Sequence, residues 1–355
     1  MKMKIPFVLL VSILGSGIAM DSFSQKLSVG AIKRNNKRIA TYRGRKDVFK
    51  KYSGVGFSVN ALNYFGDLSP LPNKFSTDIS FTRPGFGISF FRCYGPRYTL
   101  SAQFMYGTLT GSDANSAHLS DIGNGVFRHE RNLSFRNRIK ELTVMAVFDL
   151  FENPGTNYMN RVNWTPYAFV GIEAFVHNPQ AHAPQTFLDG SPNPKAGQWV
   201  DLQPLGTEGQ YSNLQTGDVN YGIKPYSLLQ VAVPFGIGAR IKLSDFLDLW
   251  ADIGFRYSFT DYLDDVSRNY VDLGAIKDPL ARALSYRSNE LADISKYSTS
   301  SYIGRDGKMY MTIDGYGREY KTNNRGNFRN NDIYMVTSIK ITRVLGSKFH
   351  RAKFR

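Results

Sequence analysis

The stretch Leu247-Asp-Leu-Trp-Ala-Asp-Ile-Gly-Phe-Arg-Tyr-Ser-Phe-Thr260 decides the fold. Leu247, Leu249, Ala251, Ile253, Phe255, Tyr257 and Phe259 alternate with Asp248, Trp250, Asp252, Gly254, Arg256, Ser258 and Thr260. Successive side chains of a strand point to opposite faces, so this is a strand with one apolar and one polar face. Strands of water-soluble sheets commonly run about 5–6 residues. A strand that crosses a membrane needs about 9–11, apolar outward and polar inward.

The same length and parity recur. Leu229, Val231, Val233, Phe235, Ile237, Ala239 and Ile241 oppose Gln230, Gly236, Gly238, Arg240 and Lys242. Leu142, Val144, Ala146, Phe148 and Leu150 oppose Glu141, Thr143 and Asp149, and Ala168, Val170, Ile172 and Ala174 oppose Gly171 and Glu173. Weaker alternation runs through 54–65, 85–94, 98–110 and 333–343. The pattern predicts an all-β, closed antiparallel transmembrane barrel of about eight strands. An extra hairpin around Asp314-Gly315, within Lys308 to Lys321, would raise that number.

Connection lengths sharpen the expectation. Residues 93–97, 242–246 and 152–163 are short, while 111–136, 178–227 and 262–331 are long. Short turns at one end and long loops at the other belong to outer-membrane barrels, and both termini then fall on the short-turn, periplasmic side. Tyr94, Tyr98, Trp164, Tyr167 and Phe246 near one end, with Tyr64, Phe65, Tyr257, Phe259 and Tyr262 near the other, fit two interfacial girdles.

The chain has 355 residues, a net charge of +15 and one cysteine, Cys93, which excludes an internal disulfide or a cysteine-rich metal site. Lys2 and Lys4, the apolar run Ile5 to Ala19, and Ser22 and Ser24 read as an export signal over residues 1–24. Residues 25–51 form a basic segment, 52–343 the barrel and 344–355 a basic tail. The charge excess sits at the two ends of the chain, and residues 52–342 are neutral. A nucleic-acid partner, which calls for a basic face on the folded body, is therefore not expected.

The inward set Glu141, Glu173, Arg240, Asp248, Asp252 and Arg256 could suggest acid–base chemistry. Mutual pairing of buried charges is the better reading, making these residues a plug for the lumen. The Gly-x-Gly pairs lie on strands and suit close packing rather than a nucleotide loop. His177 and His182 share a loop with Asp189, and their spacing is a poor metal signal. Neither a catalytic centre nor a cofactor is expected.

Several stretches carry a resemblance. Asn60-Ala-Leu-Asn-Tyr-Phe-Gly-Asp-Leu-Ser-Pro70, Thr77-Asp-Ile-Ser-Phe-Thr-Arg-Pro-Gly-Phe-Gly87, Leu202-Gln-Pro-Leu-Gly-Thr-Glu-Gly209 and Gly254-Phe-Arg-Tyr-Ser-Phe-Thr-Asp-Tyr-Leu-Asp-Asp-Val-Ser267 are the longest. With Arg325-Gly-Asn327 and Asn331-Asp-Ile-Tyr334, they resemble the PorG-like outer-membrane barrels over roughly residues 52–343. The resemblance implies a component of the type IX secretion system that contacts periplasmic ring proteins of the PorK and PorN type. Many outer-membrane barrels end on an aromatic residue. This chain runs on to Phe354-Arg355, so its insertion signal is expected to be internal.

The expected function is a non-enzymatic anchor, because an eight-stranded barrel is filled by its own side chains. Its partners would meet the short turns at Pro96, Arg97, Asn153, Pro154, Gly155 and Tyr158. Two alternatives are a surface-binding barrel acting through its long loops and, less favoured, a lipid-modifying enzyme.

Overall fold

The computed structural model of the chain describes residues 49–68, 81–117, 120–122, 124–153 and 158–345. The export signal, nearly all of the basic segment and all but the first two residues of the tail, together with Pro154 and Gly155, lie outside the described residues. Among the described residues there are twelve strands: β1 Tyr52–Phe65, β2 Arg83–Cys93, β3 Tyr98–Ser112, β4 Ser134–Asp149, β5 Trp164–Val176, β6 Pro179–His182, β7 Trp199–Asp201, β8 Leu229–Lys242, β9 Leu247–Ser258, β10 Thr299–Ile303, β11 Met309–Ile313 and β12 Ile333–Leu345.

Eight of them close into an antiparallel barrel in the order β1-β2-β3-β4-β5-β8-β9-β12, with β12 returning to β1 from Ser53↔Leu345 to Phe65↔Ile333. Closure removes the unpaired edges that an open sheet would expose. The β5–β8 ladder skips Gly171 and Ile172 opposite Val233 and Pro234, where the proline has no N–H to donate.

Burial follows the sequence parity. Ile172 is 71% exposed, Ile237 70% and Ile88 61%, whereas Trp250 on the inward side is 3% exposed. The outward residues of the eight strands make a continuous apolar belt, far larger than the apolar patches soluble monomers show. Every acidic residue of these strands (Glu141, Asp149, Glu173, Asp248 and Asp252) lies on the inward parity.

Two glycines let the interior fill. Gly236 and Gly254 pair across β8 and β9, and a Cβ on either would come within 2.7 Å or 2.6 Å of Phe169 Cζ. The Phe169 ring therefore rests on bare backbone.

The short turns lie at 94–97 and 243–246. At the opposite end, residues 177–228 and 259–332 build a folded dome with 113–117 and 124–133. One dome core joins Tyr270, Leu273, Tyr286, Tyr310, Ile313 and Tyr316. Another core runs from the upper barrel into the dome through Leu62, Met105, Phe135, Ile139, Leu263, Val266 and Val336. The mouth is thus closed by packed side chains.

Two expectations need correction. The strand expected to follow a loop over 111–136 begins at Ser134, because Phe135, Asn137 and Ile139 turn inward against the base of the dome. The extra hairpin is β10–β11, whose turn runs through Gly304 to Lys308 rather than Asp314-Gly315, and it belongs to the dome. Gly307 takes φ +75°, a conformation that only glycine adopts without strain.

Candidate functional site

The six inward residues singled out from the sequence resolve into separate groups along the barrel axis. Nearest the dome, Arg256 reaches both Glu173, at 3.0 Å, and Glu141, at 3.6 Å. The Tyr334 hydroxyl lies 2.9 Å from Glu141 Oε2 and 2.5 Å from Glu173 Oε1. Midway, Asp252 accepts a bond from the Tyr167 hydroxyl at 2.8 Å. Trp250 donates its Nε1–H to Thr342 at 3.0 Å, with the Arg240 guanidinium 5.1 Å and the Lys340 ammonium 5.8 Å from its ring. Nearest the short turns, Arg240 pairs with Asp149 and Arg161 with Asp248, each at 2.7 Å.

A charge taken out of water is tolerated only when paired and hydrogen-bonded. Here guanidinium groups stand against nearly all the buried carboxylates, which makes the interior a plug. A void beside Asp252, Lys340 and Tyr167 measures about 20 Å³, room for a single water. Arg161, Tyr334 and Lys340 were not anticipated as members. Tyr334 and Lys340 could have been read from the parity of β12, whereas Arg161 sits in an aperiodic connection.

A second polar centre lies beneath the dome. Glu208, Asp265 and Arg325 come from three distant stretches of chain, and Arg325 pairs with Glu208 at 3.0 Å and with Asp265 at 3.7 Å. Glu208 also accepts the backbone N–H groups of Ser267 and Arg268, and Asp265 accepts from Thr207 and Tyr226. Arg131 pairs with Asp113 at 2.8 Å and donates to the carbonyls of Arg325 and Asp67. The stretches 202–209, 254–267 and 325–327 thus meet in space, and one knot ties the dome to the barrel rim. Burial pushes the Asp265 carboxyl up to about 6, against the pull of Arg325.

Beside the knot, the Tyr64 hydroxyl lies 2.7 Å from Asp264 and 2.8 Å from Asp332. Burial, then the neighbouring carboxylates, raise both acids well above the usual carboxylate range. Asp261 is pushed up to about 9, chiefly by burial.

The short-turn end is closed by aromatic rings: Tyr52 lies 6.2 Å from both Phe49 and Tyr158, and Tyr158 5.7 Å from Phe246. Pro96 and Arg97 are half-buried in the first turn, with Arg97 3.6 Å from Glu152. Asn153, expected as a partner contact, is buried instead. Its side chain donates to the Pro96 carbonyl and accepts from the Val162 N–H, so it pins two turns together.

The histidines do not converge. His177 is buried against Asn137 and the Ser227 carbonyl, with burial pushing it down to about 4. His182 lies on the Trp199 ring at 3.8 Å. Among the described residues no group of three His, Cys, Asp or Glu side chains could hold a metal ion.

The family described as a domain of unknown function, DUF6089, matches residues 45–187, less than half of the chain. No curated protein matches. Solved structures similar to the chain include the attachment invasion locus protein Ail of Yersinia pestis, at 6% identity and a TM-score of 0.32, covering 84% of this chain and 99% of that one. OprG of Pseudomonas aeruginosa gives 7% and 0.33, covering 85% and 99%. A major outer membrane protein of Thermus thermophilus gives 11% and 0.33, covering 82% and 99%. These values carry no argument, and the fold rests on the strand pairing itself.

Proposed function

We propose that the chain is a non-enzymatic barrel of the bacterial outer membrane that anchors a protein-secretion complex, the type IX system suggested by its PorG-like stretches. The observation that carries the reading is the combination of an outward apolar belt with a filled interior. A belt of this kind is stable in hydrocarbon, and a plug of ion pairs under a packed dome leaves no path for a solute or a polypeptide.

Function then belongs to the two ends. The barrel begins at Tyr52 and finishes at Leu345 on the short-turn side, so the basic stretches before and after it start there. With that side in the periplasm, ring proteins of the PorK and PorN type would meet Pro96, Arg97 and Tyr158 and the basic ends. Opposite charge would speed and orient docking more than tighten it, and salt would weaken the effect.

The test is purification of the tagged protein in mild detergent, followed by identification of what accompanies it. Ring proteins from the wild type, and fewer of them after deletion of residues 27–50, support anchoring. Unchanged recovery and secretion after that deletion would overturn it.

A second reading is supported by one feature of the dome. The β10–β11 hairpin turns Ile303, Met309 and Met311 to solvent, each at least 71% exposed. Such a surface suits adhesion to an outer ligand, and loss of surface binding in a variant with all three changed to Ser would favour it.

A further inference from the structure

The extension of β4 beyond the belt places three cations in a column. Arg136, Arg138 and Lys140 occupy alternate positions on its outward face, with the apolar Leu142, Val144 and Ala146 continuing the same column below. At about 3.4 Å per residue the cations span roughly 14 Å, starting where the belt ends. Lys140 stands between Tyr106 of β3 and Val176 of β5, which mark the belt's upper edge.

None of the three has an ion-pair partner among the described residues. Elsewhere in the barrel and dome, arginines are heavily paired, so three free cations on one strand stand out. Arg136 is also held in place: its guanidinium lies 3.8 Å from the Trp199 ring centroid, and its Nε donates to Gln180 Oε1 at 3.0 Å. Its two terminal nitrogens have no hydrogen-bond partner among the described residues, a fork suited to phosphate. Asp201, the nearby acid, is bound to the side chains of Asn178 and Gln180 rather than to Arg136.

We propose that Arg136, Arg138 and Lys140 form a binding site for the phosphate-bearing headgroup of a lipid in the leaflet on the long-loop side. The inference rests on the membrane-spanning reading above. Lipid, rather than free phosphate, is the occupant because the column is continuous with the belt. A headgroup on the cations would lay its acyl chains along Leu142 and Val144, which are flanked by the small side chains of Ala174 and Ala102. A Lys side chain at such a boundary keeps its stem in the apolar region and its ammonium among the headgroups.

The test uses the full chain refolded into phosphatidylcholine nanodiscs containing a minor fraction of phosphatidic acid, with retained lipids counted by native mass spectrometry. The wild type should retain phosphatidic acid well above its share of the bilayer. A basic residue near an anionic surface contributes about a fivefold gain in affinity. The triple variant Arg136→Gln, Arg138→Gln, Lys140→Gln should therefore lose most of the enrichment. Arg92→Gln with Arg343→Gln, at the opposite rim, should keep it.

Equal retention by the wild type and the triple variant would overturn the site. Displacement of the lipid by inorganic phosphate at matched concentration would show that a free anion is the ligand and overturn the lipid assignment. Heat-modifiable gel mobility separates the two levels. A barrel that inserts without enrichment refutes the site alone, whereas one that fails to insert refutes the membrane reading and the site with it.

Discussion

The barrel interior and the seam beneath the dome both bury several carboxyl groups, and they neutralise them differently. Inside the barrel, Glu141 and Glu173 face Arg256, Asp149 faces Arg240, and Asp248 faces Arg161. In the seam, Asp261, Asp264 and Asp332 have no cation partner among the described residues, and a single hydroxyl, that of Tyr64, stands between two of them. One hydroxyl hydrogen can be donated to only one carboxylate. The other contact requires the carboxyl to carry a proton of its own. The Tyr334 hydroxyl stands between Glu141 and Glu173 in the same way, but there Arg256 also faces both carboxyls, whereas the seam offers no cation among the described residues.

The largest expected effect breaks the barrel half of this contrast. Arg256→Met leaves Glu141 and Glu173 buried without a cation and should cost about 3–5 kcal/mol, read from denaturant unfolding in detergent. Adding Glu141→Gln and Glu173→Gln to that variant should recover much of the loss. Failure to recover would mean that Arg256 acts through packing rather than charge.

Next in size is a change on the belt. Ile253→Arg should cost about 2–4 kcal/mol through a charge facing hydrocarbon. Its neighbour Gly254 faces inward, yet Gly254→Ala is not free, because the new methyl would press on the Phe169 ring. A cost of about 1–3 kcal/mol is expected from overpacking. Folded fractions compared by gel mobility check the order, and full tolerance of Ile253→Arg beside a damaging Gly254→Ala would contradict the assigned parity.

A smaller effect separates the seam from the barrel. The folded-state value of Asp261, about 9, lies above its ordinary value of 3.8. Asp264 and Asp332 are raised in the same direction. The folded chain therefore binds more protons than the unfolded one between those limits. This contribution to stability is complete below about pH 4 and is lost as pH rises towards 9. Hydrogen exchange of the amides of Leu263 and Val266, corrected for its intrinsic pH dependence, should show the dome opening more readily as pH rises. Asp332→Asn should flatten that dependence and change stability by about 1 kcal/mol or less at neutral pH, since an amide replaces a protonated acid. A dependence undiminished from that of the wild type would place the titration at groups other than Asp332.

The sequence made the barrel wall legible and left the dome obscure, for one physical reason. A wall between lipid and a packed interior imposes the same two environments on every pair of residues, so period two persists through β8 and β9. Where β4 leaves the belt the polarity inverts, with Phe135 and Ile139 inside and Arg136, Arg138 and Lys140 outside. The alternation continues, yet it no longer reads as a membrane strand. Dome residues such as Glu208 and Arg325 meet through loops with no period, so nothing local in either stretch announces the other. Asn153 misled in the opposite sense. A polar residue beside Pro154-Gly155 reads as an exposed turn, but its amide is spent joining two turns.

The most direct measurement of the central claim is electrical. The purified full-length chain, inserted into a planar bilayer and shown to be folded by its gel mobility, should give no stepwise conductance at moderate voltage, because its interior is filled by paired charges and its mouth by the dome. Reproducible single-channel steps from the folded wild type would contradict the plug, and with it the argument that this barrel acts through its surfaces.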